Sequence, residues 1–129
     1  MIAYLLLGGT GTSTARAVFI HDPEWAAPLL WRSEFRSILA GYLRRGELQV
    51  ADAIAVQRKA EELLVGREHL VRSERVFRLV KSSTCSAHDC EFVALAEQLR
   101  VPLVTSDRRI LKDFPSVAVS PSRYVEGSV

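Results

Sequence analysis

The chain has 129 residues, 48% hydrophobic and 25% charged, with 7 Gly and 5 Pro. That composition describes one folded domain over residues 1–129 and excludes a disordered, collagen-like or coiled-coil polypeptide. The 17 basic and 15 acidic residues leave a net charge of +2, too mild to announce a nucleic-acid binder. Of the basic residues 14 are Arg, whose planar forks suit phosphate and carboxylate alike. The longest apolar runs, residues 4–7 and 25–31, fall far below the roughly 18 residues of a spanning helix, so no membrane partner is expected. Residues 1–7 carry neither the basic head nor the cleavage site of a signal peptide, and the expected compartment is the cytoplasm.

In chain order, residues 1–7 are continuously apolar and end in the breaker cluster Gly8-Gly9-Thr10-Gly11-Thr12. Residues 13–20 predict a short helix capped by Ser13 or Thr14. Asp22-Pro23 turns the chain, and Trp25-Ala26-Ala27 predicts a short strand closed by Pro28. Trp31, Phe35, Ile38, Leu39 and Tyr42 recur at helical spacing over residues 29–45, and Gly46 ends that helix. A second helix follows over residues 50–64, stopped by Gly66. His69-Leu70-Val71 is a short strand or an extended link. Ser73 is positioned to cap a helix to Lys81, and Ser86 opens another that runs to Leu99. Residues 101–105 have the apolar character of a buried parallel strand. A short helix over residues 107–112, ended by Pro115, and a last strand Val117-Ala118-Val119 complete the pattern. Strands alternating with helices predict an α/β fold around a parallel sheet.

Several motifs invite chemistry. The glycine cluster before Ser13-Thr14 imitates a phosphate-binding turn. It lacks the Lys of a Walker loop and matches the dinucleotide fingerprint only loosely, so a connecting loop is the better reading. Cys85 and Cys90 have four residues between them, a spacing that fits neither a CxxC redox pair nor a zinc knuckle; reduced, partly buried thiols are expected. His88 and Asp89 are sequence neighbours about 100° apart on a helix, which excludes a triad with Ser86.

Carboxylates are more informative. Asp22, Asp52 and Asp113 have sufficient roles in a turn, a polar helix face and a helix end. Asp89 and Asp107 lie near helix starts, and Asp107 directly follows the strand 101–105, where ligand sites of open α/β sheets lie. Each alone is explained by helix capping, Asp107 as an N-cap and Asp89 as the acid of Ser86-x-x-Asp89. Glu34, about 40° from Ile38 on the helix wheel, sits at the margin of an apolar face. Three acids from three separated segments are the oxygen donors that magnesium or manganese requires.

In their order and spacing, Trp31-Arg32-Ser33-Glu34-Phe35, Ser86-Ala87-His88-Asp89 and Val101-Pro102-Leu103-Val104-Thr105-Ser106-Asp107 resemble the PIN-domain ribonucleases of the VapC toxin type, across about residues 25–119. The resemblance implies a three-layer α/β/α sandwich with a central parallel sheet and metal-dependent cleavage of RNA. It also implies a homodimer and control by a cognate antitoxin protein. Glu34, Asp89 and Asp107 would be three of the four metal-holding catalytic acids, with Mg or Mn as cofactor. Thr105 would support the last of these acids and Ser86 the Asp89 segment; His88 stands where the family often has Tyr. Arg32, Arg36, Arg108 and Arg109 are expected beside the acids, where they would guide RNA. The family's opening strand, which ends in its first acid, has no counterpart before Asp22, so the first strand is expected to be missing or incomplete. Two further readings stand beside the ribonuclease. One is a non-catalytic binding protein that engages an antitoxin-like partner; the other is a nucleotide-binding enzyme built on the glycine cluster.

Overall fold

The computed structural model describes residues 12–127; the apolar run 1–7 and the glycine cluster lie outside them, apart from Thr12. In order, the elements are α1 (Thr12–His21), β1 (Ala27–Pro28), α2 (Trp31–Arg44), α3 (Val50–Leu63), β2 (Glu68–His69), α4 (Ser73–Lys81), α5 (Ala87–Leu99), β3 (Leu103–Val104), α6 (Arg108–Asp113), β4 (Ala118–Val119) and α7 (Pro121–Gly127).

The expected three-layer α/β/α sandwich is not what the chain builds. Of the described residues 63% are helical and only 7% lie in strands. The strands form two separate parallel pairs, β1 with β2 and β3 with β4, instead of one central sheet. Ala27 pairs with Glu68 and Pro28 with His69, while Leu103 pairs with Ala118 and Val104 with Val119. The alternation of helix and strand was legible, but it says nothing about whether neighbouring strand pairs merge. Here the edges of β1 and β3 do not pair with each other.

Local chemistry explains most of the element ends. Pro28 sits inside β1 without cost to the pair, because the N–H groups of Ala27 and Leu29, its two neighbours, make the bonds to Arg67 and His69. α1 begins at Thr12, so Ser13 and Thr14 are its first turn and not its cap. Likewise Ser73 is helical, with Arg72 at the N-cap position and no side-chain cap bond. Ser86 does cap α5: its Oγ accepts from the Asp89 N–H at 3.1 Å. Gly46 and Gly66, at φ +74° and +77°, turn the chain after α2 and α3 in the left-handed region that glycine adopts without strain.

Two hydrophobic clusters hold the molecule together. In the first, Trp31, Phe35 and Leu39 project from one face of α2 at i, i+4 and i+8 onto Ala53 and Ala60 of α3 and Leu64, with Ala27 of β1 alongside. The second gathers Val76 of α4, Cys90, Val93 and Ala94 of α5, Ile110 of α6, and Phe114 and Ala118. Helix α5 touches both sheets, packing on β1 and on β3 as well as on α4. Its Val93-Ala94-Leu95-Ala96 run is buried throughout, as expected for a helix covered on more than one side.

Polar bonds fasten the first cluster. The Trp31 Nε1–H donates to Glu68 Oε2 at 2.7 Å, and Arg32 grips the same carboxylate with Nε and Nη2 at 2.6 and 2.7 Å. Arg32 Nη1 also lies 3.3 Å from Glu61 of α3. One guanidinium thus ties α2 to β2 and α3. The Arg32 fork holds the Glu68 carboxyl below the ordinary glutamate range, aided by the Trp31 bond. In the second cluster Asp113 accepts from the Thr84 N–H, the Thr84 hydroxyl and the Cys85 thiol. Both cysteines are free and buried, and burial pushes the Cys85 thiol up to about 11.

Two stability predictions follow from this packing. Phe35, 1% exposed, should lose about 3–5 kcal/mol on Phe35→Ala, read as a lowered urea midpoint with unchanged slope. For Glu68 the folded-state pKa lies below the unfolded one. Its stabilisation is therefore present above the unfolded value, about 4.3, and is lost as pH falls through the folded value. Denaturation profiles between pH 2 and 6 should be steeper for the native chain than for Glu68→Gln; parallel profiles would show that the Arg32 fork does not contribute.

Candidate functional site

A cleft of about 880 Å³ opens between the two sheets. On one side it is lined by Ala26, Ala27 and Pro28, on the other by residues from Pro102 to Asp107, with Phe92, Leu95 and Ala96 of α5 also in its wall. Trp31 and Phe35 contribute apolar surface from α2, and Tyr124 contributes from α7. The lining is thus mostly apolar, with carboxyl groups set into it.

Glu34, Asp89 and Asp107 all line this cleft. Glu34 is in the first turn of α2, one residue before the buried Phe35, which anchors that turn. Partial burial pushes the Glu34 carboxyl above the ordinary range, and the nearby charges of Asp89 and Glu91 push it the same way, against the opposing effect of His88. Glu34 and the start of α5 are therefore electrostatic neighbours, although 55 positions separate Glu34 from Asp89 in the sequence. Asp89 is half-buried, and its carboxylate has no hydrogen-bond partner among the described residues. Capping of α5 is done by Ser86, which leaves the Asp89 oxygens uncommitted.

Asp107 has a structural duty. Its Oδ1 accepts from the N–H groups of Arg109 and Ile110 at 2.9 and 3.1 Å and caps α6. Its own N–H donates to Thr105 Oγ1 at 3.1 Å, so Thr105 fixes the turn that carries this acid into the cleft. Oδ2 makes no hydrogen bond among the described residues. No group of three or more His, Cys, Asp or Glu side chains is assembled tightly enough to hold a metal ion among the described residues. The acids share a cleft without closing into a ligand set.

The arginines divide. Arg32 is committed to Glu68 and Glu61, turned toward the α2–α3–β2 junction by charge and by the neighbouring Trp31 bond. Arg36, Arg108 and Arg109 are exposed and form no ion pair among the described residues. Sequence reasoning also missed members of the wall. Asp22 and Glu24 line the cleft, and Asp22 does form the anticipated turn, its Oδ1 accepting from the Glu24 N–H at 3.0 Å. A turn signal gives no hint of which cavity the turn borders. His88 and Glu91 reach the Glu34 field from the first turns of α5, a proximity that no local spacing reveals.

The dual position of Asp107 has a measurable consequence. Asp107→Ala should destabilise the fold by about 1 kcal/mol through loss of the cap, whereas Asp107→Ser, which keeps a capping oxygen, should recover most of it in thermal denaturation. Asp89→Asn, with no cap to lose, should stay within about 0.5 kcal/mol of the native chain. No family model, curated protein or solved structure matches this chain.

Proposed function

We propose that the cleft is the site of a divalent-metal-dependent ribonuclease related to the VapC type, with Glu34, Asp89 and Asp107 supplying oxygen ligands to Mg or Mn. The observation that carries this reading is that three acids from α2, α5 and the β3–α6 turn line one cleft. Their order along the chain is the one on which the resemblance rests. Such a metal would lower the pKa of a bound water for in-line attack on a phosphodiester. The chain's own part is to present the acids: Phe35 anchors the turn of Glu34, Ser86 caps the helix of Asp89, and Thr105 holds the backbone of Asp107. The Glu34 carboxyl is held above the ordinary range first by its partial burial and then by the nearby charges of Asp89 and Glu91. Arg36, Arg108 and Arg109 are the arginines with charge left over for phosphate. The homodimer and the antitoxin belong to the same proposal, as does a cytoplasmic setting. What is directly observed is narrower: no helix of the described residues is long and apolar enough to cross a membrane.

One observation favours a second reading, a non-catalytic binding protein. The acids are not gathered into a metal-holding group, and one Asp107 oxygen is spent on its helix. Metal titration separates the two. On the ribonuclease reading, Mn²⁺ at a hundredfold excess over its dissociation constant stabilises the fold by about 2.7 kcal/mol, and Asp89→Asn abolishes the effect.

Three acids leave one ligand fewer than the family's four, so manganese-dependent RNA cleavage should be weak or undetectable. A version extended at its N-terminus by a strand ending in Asp should recover it. Cleavage by the unextended chain at ordinary metal levels, lost in Asp89→Asn, would make the fourth acid dispensable. Failure of both versions, with no metal-induced stabilisation, would leave the binding protein. Replacing Arg36, Arg108 and Arg109 should lower the slope of log affinity for RNA against log salt by about 1 per lost phosphate contact.

A further inference from the structure

The mild charge of the whole chain, +2, covers a local excess. Residues 72–81 hold Arg72, Arg75, Arg78 and Lys81 against the single acid Glu74, a balance of +3 that leaves the rest of the chain at −1. All but Arg72 belong to α4. The inner side of that helix is apolar: Val76 lies in the second hydrophobic cluster, and Leu79 and Val80 pack against it. At about 100° per residue, Phe77, Lys81, Glu74, Arg78 and Arg75 follow one another across an outward arc of about 160°. All five are exposed.

Two features of this arc are costly without an occupant. Arg75, Arg78 and Lys81 stand three residues apart, where like charges on a helix repel. They form no ion pair among the described residues, and the one acid beside them is engaged, with Arg72 Nε 3.2 Å from Glu74 Oε2. Phe77 is 68% exposed, which leaves most of an aromatic ring in water at the margin of the cationic row. Past the end of the helix the row continues. Lys81 and Lys112, two of the three lysines in the chain, border a depression of about 510 Å³. Asp113 of that depression already accepts from Thr84 and Cys85.

The chemistry discriminates among occupants. An anionic membrane requires an apolar helix face to bury among its lipids, and the apolar face of α4 is spent on the core. A protein interface keeps charge out of its centre, whereas cations take most of this arc. Single-stranded RNA carries phosphates at regular intervals, and its bases stack on exposed rings beside cations. It fits both features at once.

We propose that the outward face of α4 is a contact surface for single-stranded RNA, with Phe77 stacking on a base and Arg75, Arg78, Lys81 and Lys112 holding phosphates. No residue of α4 lines the cleft of Glu34, Asp89 and Asp107. The surface is thus a second hold on RNA, outside the site of the chemistry and additional to the cleft arginines. The choice of RNA as partner rests on the ribonuclease reading; binding at α4 needs neither metal nor the acids.

The test uses the full chain in EDTA and a fluorescein-labelled, unstructured RNA of about twelve nucleotides, read by anisotropy. Phe77→Ala and Phe77→Leu should each weaken binding about tenfold, because an aliphatic side chain cannot stack, while Phe77→Trp should bind at least as tightly as the native chain. Arg75→Gln, Arg78→Gln and Lys81→Gln together should lower the slope of log affinity against log salt by about 0.7 per lost phosphate contact. All four positions are exposed, so circular dichroism should stay native. Native-strength RNA binding by these variants overturns the proposal. If replacing Arg36, Arg108 and Arg109 still weakens binding in that case, RNA is held at the cleft alone and the ribonuclease reading survives. Weakened binding by the α4 variants, with no manganese stabilisation of the fold, upholds the α4 surface and removes the metal site instead. Tighter binding to phosphatidylserine vesicles than to RNA would assign the face to a membrane, and a dimer that Phe77→Ala dissociates would assign it to a second copy; either overturns the proposal.

Discussion

Everything else in the molecule hangs on burying α5 between two groups of helices. Its middle, Val93 to Ala96, has no water-facing side. Cys90, Val93 and Ala94 pack with Val76, Ile110 and Phe114 in one cluster, while Phe92 packs against the cluster of Trp31, Phe35 and Leu39. The two clusters thus share this helix. Small residues at positions 94 and 96 let neighbouring backbone come close, so β1 and β3 can both approach the same helix. The first turn of α5 carries Asp89 into the cleft that the two sheets leave between them.

Around that helix the chain uses its charges in two distinct ways. One set is spent on assembly. Arg32 draws Glu68 and Glu61 together across three elements, Arg67 donates to the carbonyls of Trp25 and Leu63, and Asp113 gathers three donors from the segment before α5. In each case an ionised group joins separate segments through charge-assisted bonds, which are stronger than neutral ones. The other set is left facing the cleft. Glu34 and Asp89 have no such partners, and partial burial, with the charge of Asp89 nearby, shifts the Glu34 carboxyl upward. Buried polar side chains are otherwise almost fully satisfied, with Gln57 Oε1 the exception among the described residues. A cleft that keeps carboxylates unpaired beside partly buried apolar walls is a reason to look for function there.

Strand pairs of two residues contribute little stability alone, so helix packing carries the molecule. The two pairs serve to place the turns that border the cleft.

Much of this was written in local sequence. Helices α2, α3 and α5 follow from apolar spacing at i, i+3 and i+4, and their ends from Gly46, Gly66 and Ser86, because helix periodicity and capping are decided within a few residues. The candidate acids were legible for a similar reason: Glu34 at the margin of an apolar face, Asp89 and Asp107 at helix starts. Assembly was not legible. Whether β1 and β3 would meet as one sheet depends on contacts between segments some 75 residues apart in sequence, and apolar strand character is the same in either outcome. The commitment of Arg32 to Glu68, the uncommitted carboxylate of Asp89 and the presence of Asp22 and Glu24 in the cleft wall are likewise products of packing. A side chain's type is local, but the partner it meets is chosen by the whole fold.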